Sequence, residues 1–271
     1  TSSSSSGSSS SSSGNAAANS SNGLLKYGVQ SDAVRTLQQN LKTLGYYTGS
    51  VTGNFGPLTY TDAWADEARR YYCNIVGKYG VQVQGLLKKA AALDIQTVCP
   101  LHGPQLSGDA LTRALALYSL WAAWKPEESG VLVAYAGFHG HTAEAAKLLA
   151  EKLHALGETV EVIDLNRVHK SYAVASAFKF DRMALCAATY DGAYAPAMEA
   201  FLSALKLKGL QGRTVALVEN GTWAPMAAKQ MRAALETMKN MQALDQQVTI
   251  RSAMNAKNRE EIEELAKKLV M

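Results

Sequence analysis

Cysteine is scarce. The 271 residues hold three, Cys73, Cys99 and Cys186, with no C-x-x-C pair. An odd count excludes complete internal pairing, and no disulfide framework is written here. A Cys73–Cys99 bridge needs an oxidising compartment; reduced or buried thiols are the simpler reading. Long apolar runs are missing as well. The best candidate, ALALYSLWAAW at 114–124, falls well short of the roughly 20 residues of a membrane-spanning helix. Clustered basic charge is also absent. The chain has 27 Lys+Arg against 23 Asp+Glu, for a net charge of +4. Its basic residues are interleaved with acids, as in KNREEIEELAKK at 257–268. Phosphate-backbone recognition needs clustered Lys and Arg, so no nucleic-acid partner is expected. The start at Thr1 shows neither the basic nor the apolar region of a secretory signal. What is present is ordinary for a globular chain: 47% apolar and 18% charged residues.

Composition then divides the chain. Ser, Gly, Asn and Ala dominate residues 1–23, which hold no aromatic and no charged side chain. Such a tract cannot bury enough apolar surface to offset its ordering entropy, and it is expected to be a disordered tether. Residues 24–59 begin with a helix. Ser31 or Asp32 can cap it, Val34, Leu37, Leu41 and Leu44 share one face, and Gly45 ends it. Tyr46, Tyr47, Gly49, Gly53 and Gly56 follow in a turn-rich stretch. The V-x-x-L-Q-x-x-L helix, the L-G-Y-Y turn and the G-x-F-G-P-x-T close resemble the first part of a small peptidoglycan-binding repeat. Thr52 stands where that family usually has Asp, and the repeat's last helix is missing after Thr59. The resemblance implies peptidoglycan as a partner and the cell envelope as a location.

Residues 60–125 read as mostly helical. Spacing predicts a helix over 62–79 with Trp64, Ala68, Tyr71, Tyr72 and Ile75 on one face, and a second over 81–92. A short strand at 95–102 and a third helix at 111–124 follow, and Pro126 closes the segment. Its apolar residues Trp64, Tyr71, Trp121 and Trp124 point to a homo-oligomer.

From 130 to 271 strands and helices alternate. Apolar strand runs lie at 131–137, 159–165, 182–189, 214–220 and 247–254, with helical patterns at 142–157, 171–178, 196–210, 225–241 and 256–270. Five strands alternating with helices predict an α/β fold, a parallel sheet covered on both faces. Ligands of such sheets bind beyond the carboxyl ends of the strands. The residues there are Gly137-Phe138-His139-Gly140-His141-Thr142, then Thr189-Tyr190-Asp191-Gly192, then Asn220-Gly221-Thr222-Trp223-Ala224. The first loop leads into a helix, whose N–H groups and dipole suit a phosphate. Tyr190 and Trp223 offer faces for a planar ring.

These loops resemble those of flavodoxins, whose phosphate loop is S/T-x-T-G-x-T. Here Gly137 and His139 replace two hydroxyls, while Gly140 and Thr142 match. The stretches ATYDGAYAPAMEAFLSAL and VALVENGTWAPMAAKQM are similar to the flavodoxin half of the flavodiiron proteins, the A-type flavoproteins. That resemblance runs back through residues 64–104, similar to the end of their metallo-β-lactamase-like domain. It implies a flavodoxin-like sheet of order 2-1-3-4-5, FMN as cofactor, the three loops as its site, and a redox partner protein. Of the family's di-iron ligands only the last is matched, by His102 in CPLHGP. One imidazole makes no metal site, so no metal is expected, and His139-x-His141 sits in the phosphate loop. No set of catalytic acid, base or nucleophile is visible. The expectation is therefore an FMN-binding electron carrier, cytoplasmic by its flavodoxin-like part. The alternative is a wall-binding module whose flavodoxin-like part is redox-inactive.

Overall fold

A computed structural model describes residues 30–43, 50–54 and 57–271, and leaves the side chains of 57–63 aside. The expected tether at 1–23 lies outside the described residues, as do Leu44 to Gly49 and Gly56. Two compact units emerge, Thr1–Ala63 and Trp64–Met271. The segments 60–125 and 130–271 thus share a unit from Trp64 onward.

In the first unit, α1 (Asp32–Thr43) carries Val34 on its buried side, as its spacing predicts. The other fully buried residue is Gln38. Its amide oxygen accepts from Thr52 N at 2.9 Å and Gly53 N at 2.8 Å, and its nitrogen donates to Asn54 O at 2.8 Å. A buried amide bonded at both its oxygen and its nitrogen fixes the 52–54 turn to the helix. Thr52 accepts from Asn54 N at 3.2 Å, the turn-closing bond an Asp side chain also makes.

The second unit contains, in chain order, the end of α2 (Pro57–Tyr71), α3 (Gly80–Ala90), β1 (Thr97–Val98), β2 (Leu106–Ser107), α4 (Gly108–Ala122) and β3 (Glu128–Ala136). Then come α5 (His141–Ala155), β4 (Val160–Asp164), α6 (Lys170–Lys179), β5 (Phe180–Tyr190), β6 (Ala193–Tyr194) and α7 (Pro196–Leu207). It closes with β7 (Thr214–Asn220), α8 (Ala227–Glu236), β8 (Gln242–Ile250) and α9 (Ala256–Val270). The parallel strands stand in the order β4-β3-β5-β7-β8, the expected 2-1-3-4-5. Alternation divides their side chains between two cores. Val131, Val133, Ala184, Cys186, Ala216 and Val218 face α5 and α9. Leu132, Ala134, Met183, Leu185, Val215 and Leu217 face α6, α7 and α8.

Upstream of the sheet the structure departs from periodicity. The expected helix over 62–79 ends at Tyr71, and Tyr72–Val76 makes a π-helical turn. The wider turn rotates the face. Tyr72 and Cys73 become fully buried, while Tyr71 and Ile75 are exposed. The strand expected at 95–102 shrinks to Thr97–Val98, just before Pro100, which cannot donate to a ladder. Of the four apolar residues singled out in this segment, Tyr71 is exposed but two tryptophans are covered within the unit. Trp121 is wholly buried among Leu132, Met183 and Phe201, and Trp124 packs against the same core.

Two buried arginines brace this side. Arg69 makes a bidentate pair with Glu127 and contacts Asp66 at 2.8 Å, and Trp121 donates its indole N–H to Glu127. Burial opposes the Arg69 charge, but Glu127 and Asp66 outweigh it and raise the pKa. Arg213 has no such acid. It donates to the carbonyls of Ala177 (3.1 Å), Phe178 (3.2 Å), Trp124 (2.9 Å) and Gln211 (2.9 Å). Burial pushes its pKa down to about 10, which still leaves the guanidinium charged at neutral pH.

Candidate functional site

β3, β5 and β7 are adjacent, so the loops leaving their carboxyl ends are adjacent too. The first loop runs from Ala136 to the start of α5. A Cβ on Gly137 would lie 2.8 Å from both Cβ and Oγ1 of Thr142, so only glycine permits this fold-back. Gly140 adopts φ +90° immediately before α5, and no side chain caps the helix there. The first N–H groups of α5 are left for solvent or an anion. From the β4 side, Asn166 Nδ2 donates to Gly137 O at 2.6 Å and holds the loop.

The second loop is a hairpin. β6 pairs with the end of β5, Thr189 opposite Tyr194 and Tyr190 opposite Ala193. The two turn residues, Asp191 at φ 47° and Gly192 at φ 74°, are both left-handed, as a type I′ turn requires. Thr189 Oγ1 accepts from Met226 N at 3.0 Å and from Ala227 N at 3.3 Å, which ties this loop to the third.

In the third loop, Gly221 N donates to Ile250 O at 3.0 Å, and a Cβ on Gly221 would lie 2.9 Å from Pro225 Cα. Asn220 Nδ2 donates to Ser252 O at 2.8 Å, and Arg251 donates to Thr222 O at 3.2 Å. Behind it, buried Glu219 accepts from Ala228 N at 2.9 Å and from the Thr249 hydroxyl at 2.8 Å. This carboxylate anchors the start of α8 to the sheet.

The three loops enclose a cavity of about 480 Å³. Of the expected residues, Phe138, His139, His141, Thr142, Thr189, Asp191, Gly192, Asn220, Gly221, Thr222, Trp223 and Ala224 line it. Gly137, Gly140 and Tyr190 are not in its wall. The two glycines shape the loop, and Tyr190 packs on Phe138 with ring centroids 5.5 Å apart. Ala188, Met226 and Ser252 also line the cavity and were not foreseen. Ser252 follows the last strand, so the strand-end rule applied to β8 would have reached it. Asp-Gly between extended segments is the local signal for the hairpin.

Trp223 is 88% exposed, and Phe138 and Tyr190 are about half exposed. Large aromatic surface left in water around a concave site marks a ligand or interaction surface. His141 lines the cavity with its Nδ1 shielded and without a hydrogen-bond partner, 3.6 Å from the Glu144 carboxylate. His102 lies elsewhere, exposed, with its ring 5.7 Å from Tyr71. Among the described residues no group of three or more His, Cys, Asp or Glu is placed to hold a metal ion. Cys186 lies in mid-strand, its thiol pushed up to about 12 by burial, and plays no part in the site.

The flavodoxin domain model matches residues 132–268, just over half of the chain. The chain belongs to the flavodoxin domain family. A separate match, to a peptidoglycan binding domain, covers residues 30–61. A curated relative, diflavin flavoprotein A 5 of Nostoc sp., is 31% identical over 132 residues, 46% of this chain and 23% of its own length. Among solved structures, the rubredoxin oxygen:oxidoreductase of Desulfovibrio gigas has a TM-score of 0.70 at 21% identity, over 76% of this chain and 52% of its own. The flavodiiron protein of Giardia intestinalis follows with 0.67 at 18%, over 74% and 50%. The chain thus spans about a quarter of the curated relative and about half of each solved one. At those identities the solved structures establish a shared fold. No helix among the described residues is long and apolar enough to cross a membrane.

Membership in the flavodoxin family implies FMN, and the residues present fit it. The cavity volume lies within the ~300–1,000 Å³ of small-molecule sites. The glycine fold-back and the uncapped helix start suit a phosphate. The exposed rings suit a flat heterocycle.

Proposed function

We propose that Trp64–Met271 binds FMN in the cavity between the three strand-end loops and works as an electron-transfer module. The observation that carries this reading is one cavity that combines an uncapped helix N-terminus with exposed aromatic rings. Bound FMN supplies one- and two-electron transfer. The chain does the rest. Loop N–H groups and the Thr142 hydroxyl would hold the phosphate, and Phe138 and Trp223, the aromatic rings of the cavity wall, would cover the flavin ring. Asp191-Gly192 and Thr222–Ala224 would present backbone groups to the ring's polar edge. The Thr189 and Asn220 bonds keep those two loops in register, so the cavity is pre-formed before the ligand arrives. The electrons pass to and from a redox partner protein, in keeping with the oxidoreductase and flavodiiron names of the solved relatives.

An absorbance spectrum of the purified chain, with acid-released flavin quantified, tests this reading. The expected result is the two bands of oxidised flavin and one FMN per chain. A colourless chain that also rejects added FMN overturns it.

A second reading concerns residues 30–61, which match the peptidoglycan binding domain. It is proposed that they tether the module to cell wall. Co-sedimentation with insoluble peptidoglycan is the check, and recovery of the whole chain in the supernatant rejects it.

A further inference from the structure

In the phosphate loop, two imidazoles, His139 and His141, line the cavity beside the helix start. Their placement differs. His139 is exposed on the loop, and its ring lies 6.5 Å from that of Phe138. His141 is the first residue of α5 and about two-thirds covered, with Glu144 one turn along. Its shielded Nδ1 faces the Glu144 carboxylate at 3.6 Å and has no hydrogen-bond partner. A neutral imidazole has one donor, whereas the imidazolium has two. Once protonated, His141 can offer Nδ1–H to Glu144 and Nε2–H to another acceptor at the same time.

We propose that His141, oriented by Glu144, recognises the phosphate by charge, so that the site selects phosphorylated over unphosphorylated flavin in a pH-dependent way. This rests on the FMN reading above. The other charged groups around the loop are few. Asp191 stands in the cavity wall from the β5–β6 turn. Arg251 is engaged with Thr222 O. Asp164, at the end of β4, accepts from Asn166 N and pairs with Arg167 at 3.5 Å. Among the described residues none of these supplies a cation in the wall itself, so the imidazoles, once protonated, are the cationic side chains of the wall.

The sign follows from linkage. A dianion beside His141 favours the protonated ring, so binding takes up a proton. Affinity then falls as pH rises and the imidazolium loses its proton. The phosphate's own second ionisation, near pH 6, is common to every variant and is removed by comparing variants.

The test measures the affinities of the flavin-stripped full chain for FMN and for riboflavin between pH 5.5 and 8.5. The expected FMN-to-riboflavin affinity ratio falls about tenfold across that range in the unaltered chain, equivalent to about 1.4 kcal/mol. In His141→Gln the ratio is low and the fall with rising pH is lost. In His139→Gln it keeps its slope. Glu144→Gln retains a slope with its midpoint moved to lower pH, a shift that a merely structural role does not produce. Riboflavin binding by each variant verifies that its cavity is intact. A ratio with the same pH slope in His141→Gln as in the unaltered chain overturns the inference and leaves FMN binding standing. Failure of the unaltered chain to bind either flavin at any pH overturns both.

Discussion

At the scale of single residues, the site sets an exposed tryptophan against a confined glycine. Trp223 is 88% exposed and has no stacking partner among the described rings, so its removal should barely touch the fold. Trp223→Ala is expected to shift stability by less than about 0.5 kcal/mol. A ring contact of about 1 kcal/mol beyond burial would be lost with the ligand, so FMN affinity is expected to fall about five- to tenfold. Gly137→Ala acts in reverse. Its new methyl would meet Thr142 at 2.8 Å, so either the loop or the helix start must move. A loss of about 1–3 kcal/mol is expected in the unliganded chain, with FMN affinity falling as well. Paired denaturant melts and flavin titrations separate the two cases. The thiols give a further prediction. Burial holds Cys73 well above the usual thiol range and pushes Cys186 up to about 12, whereas Cys99 is exposed. Alkylation proceeds through the thiolate. At pH 8 the buried Cys186 thiol stays protonated. Brief alkylation of the folded chain at pH 8 should therefore label Cys99 alone, and unfolding should release the other two. Mass spectrometry of the labelled peptides reads this directly.

At the scale of elements, what was legible in the sequence depended on how local the cause was. β7 and α9 lie where their patterns place them, because an unbroken apolar run and a capped amphipathic stretch are local signals. In α9 the Asn255 side chain accepts from Asn258 N at 3.0 Å and caps the helix. The site loops were legible for a related reason, since strand ends in a parallel sheet are forced to one edge. The π-helical turn at Tyr72–Val76 was not. Its cause is the demand of a distant core for Tyr72 and Cys73, and periodicity carries no record of that demand. Arg213 was equally hidden, because an arginine immediately before a strand run usually reads as solvated. In the structure its guanidinium gathers the last carbonyls of α6, the carbonyl of Trp124 beyond α4, and the turn into β7. Arg213→Met keeps much of the length but removes every donor, leaving buried carbonyls unpaired. A loss of about 3–5 kcal/mol in chemical denaturation is expected, compared with less than about 0.5 kcal/mol for an ordinary surface arginine.

At the scale of the molecule, the sequence suggested a boundary near Pro126, where helices give way to alternating strands. The change of pattern is real, but it does not divide the core. An amphipathic spacing shows that a helix has an apolar face and says nothing about what covers it. Here the covering surface is the sheet's own second layer. Tyr72, Cys73 and Trp121 join Leu132, Met183, Phe178 and Phe201 in one cluster, and the Arg69–Glu127 pair ties α2 to the approach of β3. Trp121 therefore reports on the whole unit. Trp121→Ala empties the volume of a fully buried indole and takes a donor from Glu127, for an expected cost of about 3–5 kcal/mol. If residues 64–125 were an appendage, that cost would fall on a minor transition and the sheet would melt unchanged. A shared core makes the opposite demand. Helical signal, tertiary signal and release of bound FMN should move together to lower temperature as one cooperative transition. A sheet-and-flavin transition left in place by Trp121→Ala would restore the boundary near Pro126.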